Sequence, residues 1–415
     1  MMNLLGYWVY ILATRSYFLL MRVAAWYHPK AKLAIDGRKN WKNQLLAKSQ
    51  NLNKQRIWFH CASLGEYEQA KPVMELVRKN KPDISIVVSF FSPSGYEIRK
   101  NDTLPDLICY LPFDTFRNAN TFIKILQPTQ AVFVRYEFWY HYLLALNNKA
   151  IPVYLISAHF TPDQAFFKWY GSFYRNILRL FTAVFCQYES DAALLKQIGI
   201  HAEQKYGDTR FDRVKKTAEY ITPIPEIENF KNNANLLVLG SSYSYEEQIA
   251  AEWLTKADSN WKIIVAPHEI NEQRIAAIEE LFKNYGCIRF SQFKSATDCR
   301  VLIIDNIGML SRIYAYANVS FVGGGFGNKG LHNILEPLAF GCPVIIGPKH
   351  KEKFPESVMA EKQGIATTVN NQDEFNFAMQ SFISKNSHSL QINNRAKDFI
   401  RQYGGISEAI YSHLY

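Results

Sequence analysis

From residue 57 onward, short apolar runs alternate with amphipathic helical stretches, and the series is played twice. The first pass reads 57–63, a helix from about 67 to 80, then 84–91, a further helix, 131–136, a helix, and 152–157. A longer helical region over 162–181 follows, then 183–187 and a helix near 189–198. The second pass reads 236–242, a helix over 245–256, 261–267, a helix over 271–285, 301–305, a helix over 308–316, 319–325, a helix over 333–340, and 343–348. Strand–helix repetition of this kind dictates parallel sheets covered on both faces. A proline- and charge-rich stretch at 222–233 separates the two passes and places a hinge at 205–235. The 415 residues suit about two such domains. The expected divisions are 1–56, 57–215, 216–394 and a C-terminal helix in 395–415. In doubly wound sheets ligands bind beyond the carboxyl ends of the strands, so two Rossmann-like domains facing each other would leave a central cleft.

Charge is divided as sharply as pattern. Residues 1–206 hold 25 basic and 14 acidic side chains, whereas 207–415 hold 22 and 23. The first 56 residues carry ten basic groups against one acid, Asp36, including Arg38 and Lys39. An anionic partner is expected near them. Residues 3–27 are apolar and aromatic, broken by Arg15 and Arg22, which are seven residues apart and so share a helical face. A cleavable signal peptide carries its charge before the apolar run; here the charge lies within and after it. Two arginines in a bilayer core would be costly. An in-plane helix, with Trp8 and Trp26 at headgroup depth, is therefore preferred to a single span or a plain buried helix. Residues 28–56 would then lie against anionic headgroups, with a solvated basic linker as the alternative. No nucleic-acid-binding motif is present. Six cysteines, scattered without metal-ligand spacing, read as reduced core residues.

Three clusters carry chemistry. Residues 319–337 contain Gly325-x-Gly327-x-x-Gly330 after a strand and before a helix, a formal dinucleotide fingerprint. Its late position in the domain argues against a dinucleotide, but a glycine loop opening onto a helix still offers an anion site. Glu336, one turn into that helix, suits a ribose diol. Glu66, after the strand carrying His60 and Cys61, sits where a general base would act, or serves only as a helix cap. Glu137 follows an apolar strand at the same face, with an ion pair to Arg135 as the bland alternative.

Taken in order, His60-Cys61-Ala62-Ser63-Leu64-Gly65-Glu66-Tyr67, Phe91-Ser92-Pro93, Glu137-Phe138-Trp139, Gly207-Asp208-Thr209-Arg210-Phe211-Asp212, Asp305-Asn306-Ile307-Gly308 and Gly330-Leu331-His332-Asn333-Ile334-Leu335-Glu336-Pro337 resemble the 3-deoxy-D-manno-octulosonic acid (Kdo) transferases of lipopolysaccharide synthesis. The resemblance runs from the basic N-terminus to about residue 365. It implies the two-domain GT-B glycosyltransferase fold, with CMP-Kdo as donor substrate, a lipid A precursor (lipid IVA) as acceptor, inversion at the anomeric carbon, and neither metal nor cofactor. It places the enzyme on the cytoplasmic face of the bacterial inner membrane. Glu66 looks like the family's base and Glu137 like its second carboxylate. Ser241, Pro267, His268, Gly308, Met309, Gly324, Gly330, His332, Asn333 and Glu336 fall at donor-site positions. Trp8, Arg15, Arg22, Trp26, Arg38 and Lys39 are the membrane and acceptor candidates.

Two departures stand out. Where relatives read Pro-Arg-His, this chain reads Pro267-His268-Glu269, and Ser241-Ser242 is followed by Tyr243 in place of histidine. His268 or Lys329 would have to replace the missing arginine at the donor phosphate. Rival readings are a GT-B enzyme using another nucleotide sugar, and a non-catalytic nucleotide-sugar-binding membrane protein in which Glu66 is only a cap.

Overall fold

A computed structural model describes residues 4–294, 299–328, 330–350, 354–383 and 386–415. They divide into two compact units, Met1–Asp212 with Tyr403–Tyr415, and Arg213–Gln402.

The first unit is built on six parallel strands: β1 (Arg56–Cys61), β2 (Ser85–Phe90), β3 (Leu107–Tyr110), β4 (Gln130–Val134), β5 (Val153–Ala158) and β6 (Ala183–Cys186). Their order is β3-β2-β1-β4-β5-β6. Chain direction across the sheet therefore reverses between β1 and β4, and ligands bind at such a switch point. β2, β4 and β5 are buried along their whole length, which is why they read as unbroken apolar runs. β3 escaped the sequence reading because its four residues lie between Pro105 and Pro112, too short to show a period.

Three helices precede the sheet: α1 (Leu4–Ala24), α2 (Pro29–Asp36) and α3 (Trp41–Ser49). α1 is docked along one face. Its Tyr10 hydroxyl donates to the buried Asp114 carboxylate and accepts from the Tyr140 amide at 3.1 Å, while Phe18 stacks on Phe113 at 4.2 Å. Leu5, Trp8, Val9, Leu12, Leu19, Leu20 and Val23 project from the other side, exposed. One face of α1 is thus held by a buried polar network and the other is exposed. Within the segment 28–56, α2 and α3 are folded onto the unit instead of forming a linker, while Lys30, Lys32, Lys39, Lys48 and Lys54 stay exposed. Leu45 of α3 is buried with Phe122 and Trp58, and Trp41 packs on the same cluster.

The helix that follows β1, α4 (Leu64–Asn80), is covered by residues from the far end of the sequence. Ile406, Ile410 and Leu414 share a buried cluster with Tyr67, Ala70, Val73 and Val77. The single last helix expected near 395–414 is in fact two, Asn386–Tyr403 and Ile406–Leu414. The break falls at Gly405, whose φ of +81° no helix tolerates, and Asp212 caps the second helix by accepting the Ser407 amide at 2.8 Å. The expected 162–181 helix is likewise a 3-10 turn at Ala165–Phe167 and a helix at Ser172–Leu178.

The second unit repeats the plan with β7 (Asn235–Ser242), β8 (Trp261–Pro267), β9 (Cys287–Arg289), β10 (Val301–Ile303), β11 (Val319–Val322), β12 (Val344–Ile346) and β13 (Ala366–Thr368). The order is β13-β12-β11-β7-β8-β10-β9. The switch point lies at β7 and β11, whose ends carry Ser241 and the 323–325 glycine run. β9 and β13 are three-residue edge strands that no period could announce. The hinge region 205–235 holds two helices, Thr209–Glu219 and Pro225–Lys231.

Candidate functional site

At the first switch point, parallel pairing sets His60 of β1 beside Ser89 of β2 and Phe133 of β4. The turns leaving β1 and β4 thus emerge side by side, bringing Glu66 and Glu137 to one end of the sheet. Glu66 is buried at the third position of α4, where its Oε2 accepts the Ala62 amide and the Ser63 amide, the latter at 3.3 Å. It is a cap, as the bland reading held. Both described hydrogen bonds fall on one oxygen, however. Burial, reinforced by the nearby Glu137 charge, pushes the Glu66 carboxyl up to about 8, against the pull of the two amides and Arg135. A carboxyl held near neutrality suits a general base.

Glu137 is not paired with Arg135. Its Oε2 accepts from Trp139 Nε1 at 2.5 Å and lies 3.0 Å from His60 Nε2. His60 Nδ1 meets the Ser89 hydroxyl at 2.8 Å, and that hydroxyl accepts from Trp58 Nε1 at 2.8 Å. His60 Nδ1 also lies 3.2 Å from the Ser89 carbonyl, and Trp139 Nε1 approaches His60 Nε2 at 3.1 Å as well as Glu137. Arg135 sits in the turn with a left-handed φ of +66°, its guanidinium 5.1 Å over Tyr136. Such a conformation is costly for a residue with a side chain and concentrates at functional turns.

Arg38 corrects the sequence reading. It is not a lipid-facing cation: its guanidinium is buried and donates to the carbonyls of Ala34, Leu111 and Phe91 at 2.7–2.8 Å. It lies 4.8–5.0 Å from the ring centroids of Phe91, Tyr110 and Phe113, and burial lowers its pKa to about 10. Phe91 in turn stacks at 4.7 Å on Trp139, the donor to Glu137. Arg38 is thus connected to Glu137 through Phe91 and Trp139. The other N-terminal candidates, Trp8, Arg15, Arg22, Trp26 and Lys39, are exposed, with Lys39 paired to Asp36 at 2.7 Å. At 100° per residue, Arg15 and Arg22 fall on the flank between the docked and outward faces of α1.

In the second unit the glycine loop differs from expectation. The helix after it is only Leu335–Ala339, with Glu336 at its second residue, so little dipole is available. Asn333 holds that corner, accepting the Leu335 amide at 3.0 Å and donating to Glu336 Oε1 at 3.2 Å. The Gly324 amide, expected to face an anion, donates at 2.9 Å to Glu246, a buried carboxylate that sequence reading passed over. Its signal was present as Tyr243-Ser244-Tyr245-Glu246, a strand end followed three residues later by an acid. Gly324 itself has a φ of +95°, and a Cβ there would lie 2.1 Å from the Gly330 carbonyl. Tyr243 stacks on His332 at 5.8 Å and its hydroxyl lies 3.0 Å from His332 Nε2, while His268 is 4.5 Å from His332. Ser241, in a left-handed conformation at φ +50°, and Pro267 end the adjacent strands β7 and β8. Gly308, φ +97°, and Met309 start the segment that carries Tyr314, which packs beside the Glu336 helix. An open cavity of about 640 Å³ is lined by Tyr243, Tyr245, Glu246, Gly324, Phe326 and Asn328, among others. Lys329 lies outside the described residues.

A family model described as 3-deoxy-D-manno-octulosonic-acid transferase (kdotransferase) matches residues 39–213. A bifunctional glycosyltransferase/methyltransferase of Fusobacterium nucleatum is 24% identical over 356 residues, 81% of this chain, which spans only 54% of that protein. A 3-deoxy-D-manno-octulosonic acid transferase of Aquifex aeolicus is 26% identical over 324 residues, 77% of this chain and 83% of that one. The UDP-GlcNAc 2-epimerase of Neisseria meningitidis is similar in fold alone, with a TM-score of 0.63 at 14% identity over 87% of this chain and 99% of that one. With two doubly wound units of GT-B type, the chain is similar to the 3-deoxy-D-manno-octulosonic-acid transferases, whose family model matches its residues 39–213.

Proposed function

We propose that the chain transfers Kdo from CMP-Kdo to lipid IVA, with inversion, at the cytoplasmic face of the inner membrane. The observation that carries this reading is the buried Glu66 carboxyl, raised to about 8 beside a Glu137 fixed by His60 and Trp139. In the reaction a sugar hydroxyl of the acceptor loses its proton to Glu66 while its oxygen bonds to the Kdo anomeric carbon. The bond from that carbon to the CMP phosphate oxygen breaks, and CMP departs with the electron pair. Glu137 keeps Glu66 basic and helps orient the acceptor hydroxyl. Asn333 and Glu336 would receive the cytidine ribose, and His268, with Tyr243 and His332, the donor phosphate, without a metal. The outward face of α1, flanked by Arg15 and Arg22, would hold the enzyme on anionic lipid.

The test is incubation of purified protein with CMP-Kdo, generated in situ, and a tetra-acylated lipid A precursor, with products read by mass. One or more additions of Kdo are expected. CMP binding without any addition would oppose the reading and direct attention to other nucleotide sugars, which the altered residues Tyr243 and His268 would then accommodate.

A further inference from the structure

Trp169 is 92% exposed and Tyr170 beside it 54%. Their position is built, not loose. Arg175 Nη1 donates to the carbonyls of Phe166 and Lys168, each at 3.0 Å, and the Gly171 amide returns to Lys168 at 2.9 Å. A Cβ at Gly171 would sit 1.9 Å from the Ala165 carbonyl oxygen, so only glycine closes the turn. The turn thus holds two large aromatics in water on a constrained tip, where a soluble surface gains nothing from them.

The tip leads directly into the Ser172–Leu178 helix, whose Phe173 packs on Gly6, Tyr7 and Tyr10 of α1. Phe173 is four positions after Trp169, so the tip lies within about 14 Å of that contact. At this end of α1 the exposed side chains are Leu4, Leu5, Trp8 and Val9. Lys168 in the turn and Arg175 and Arg179 after it outnumber the one nearby acid, Asp163, and Arg15 and Arg22 follow further along α1.

We propose that Trp169 and Tyr170 form a second insertion point into an anionic phospholipid interface, acting together with the outward face of α1. Aromatics of this kind settle at headgroup depth, and the surrounding cations select a negatively charged leaflet over a protein partner. Two separated anchors would fix the rotation of the unit about α1, which one helix lying in the plane does not. The proposal rests on the reading that α1 meets the membrane.

The full-length protein is titrated with vesicles of phosphatidylethanolamine and phosphatidylglycerol and sedimented, alongside a Trp169→Ala/Tyr170→Ala double variant and a Trp169→Phe/Tyr170→Phe control. The alanine pair should weaken vesicle binding at least ~10-fold and the phenylalanine pair far less, since insertion scales with buried apolar area. Exposed positions leave thermal stability unchanged, which verifies the fold. Equal binding by the alanine pair and the wild type overturns the second anchor alone. A wild type that ignores these vesicles overturns the membrane reading itself. A wild-type dimer in solution that the alanine pair dissolves assigns the tip to a second copy of the chain and also overturns the proposal.

Discussion

Tyr243 and His268 stand ring to ring, 5.2 Å between centroids, and both are among the positions at which the sequence differs from the Kdo transferase motifs it resembles. Both also contact His332, a residue of the shared motif. The two residues thus share one neighbour, the Tyr243 hydroxyl lying 3.0 Å from His332 Nε2.

His268→Ala should raise the donor KM about 10-fold or more with a smaller effect on kcat, the scale of one charge-assisted hydrogen bond. His268→Arg should restore or improve it. Steady-state kinetics with varied CMP-Kdo decide; an unchanged donor KM in the alanine variant would remove His268 from the phosphate site.

Glu66→Gln keeps a side-chain oxygen for the Ala62 and Ser63 amides, so α4 and the melting temperature should survive. Turnover should fall by at least about 100-fold, the low end for loss of a general base. Near-normal turnover would leave Glu66 as a cap and nothing more.

The pH profile follows from the same environment. Glu66 works when ionised, so kcat/KM should rise with pH and level off above about 8, the value to which burial and Glu137 push it. Glu137→Gln removes the neighbouring negative charge, which makes ionisation of Glu66 easier and should move that limb to lower pH. A profile that stays in place, measured with the two proteins side by side, would show that the carboxylates do not interact.

Arg38→Met leaves three buried carbonyls without their donor and should cost about 3 kcal/mol or more of stability. Because Phe91 and Trp139 lose their support, kcat should fall as well. Vesicle affinity should not change. A variant of normal stability and weaker lipid binding would return Arg38 to the membrane surface.

For α1, deletion is the wrong instrument, since it would uncover Asp114, His141 and Phe113. Leu12→Asn with Leu19→Asn alters the outward face alone. This pair should release the protein from vesicles and leave turnover on detergent-dispersed acceptor within about 2-fold, the effect expected of surface substitutions. Undiminished vesicle binding would argue against the helix as an anchor.

The alternating architecture was legible because central strands buried on both sides must be continuously apolar, and Glu66, Glu137 and the glycine loop were legible because they follow such strands. What escaped were matters of length and partner. Leu107–Tyr110, Cys287–Arg289 and Ala366–Thr368 are too short to carry a period. Arg38 looks like every other N-terminal cation until two carbonyls from distant turns, those of Phe91 and Leu111, converge on it, and the occupation of the Gly324 amide depends on Glu246, 78 residues away. No local pattern encodes such pairings.

Ile406–Leu414 closes the hydrophobic face of α4, the helix on which Glu66 is mounted. The first unit therefore cannot mature in the order in which the ribosome delivers it. Its first 212 residues emerge with that face open, and they wait for the whole intervening unit to be translated before the cover arrives. The setting of Glu66 is thereby tied to the completeness of the polypeptide, and a truncated product would display an exposed apolar strip to chaperones and proteases.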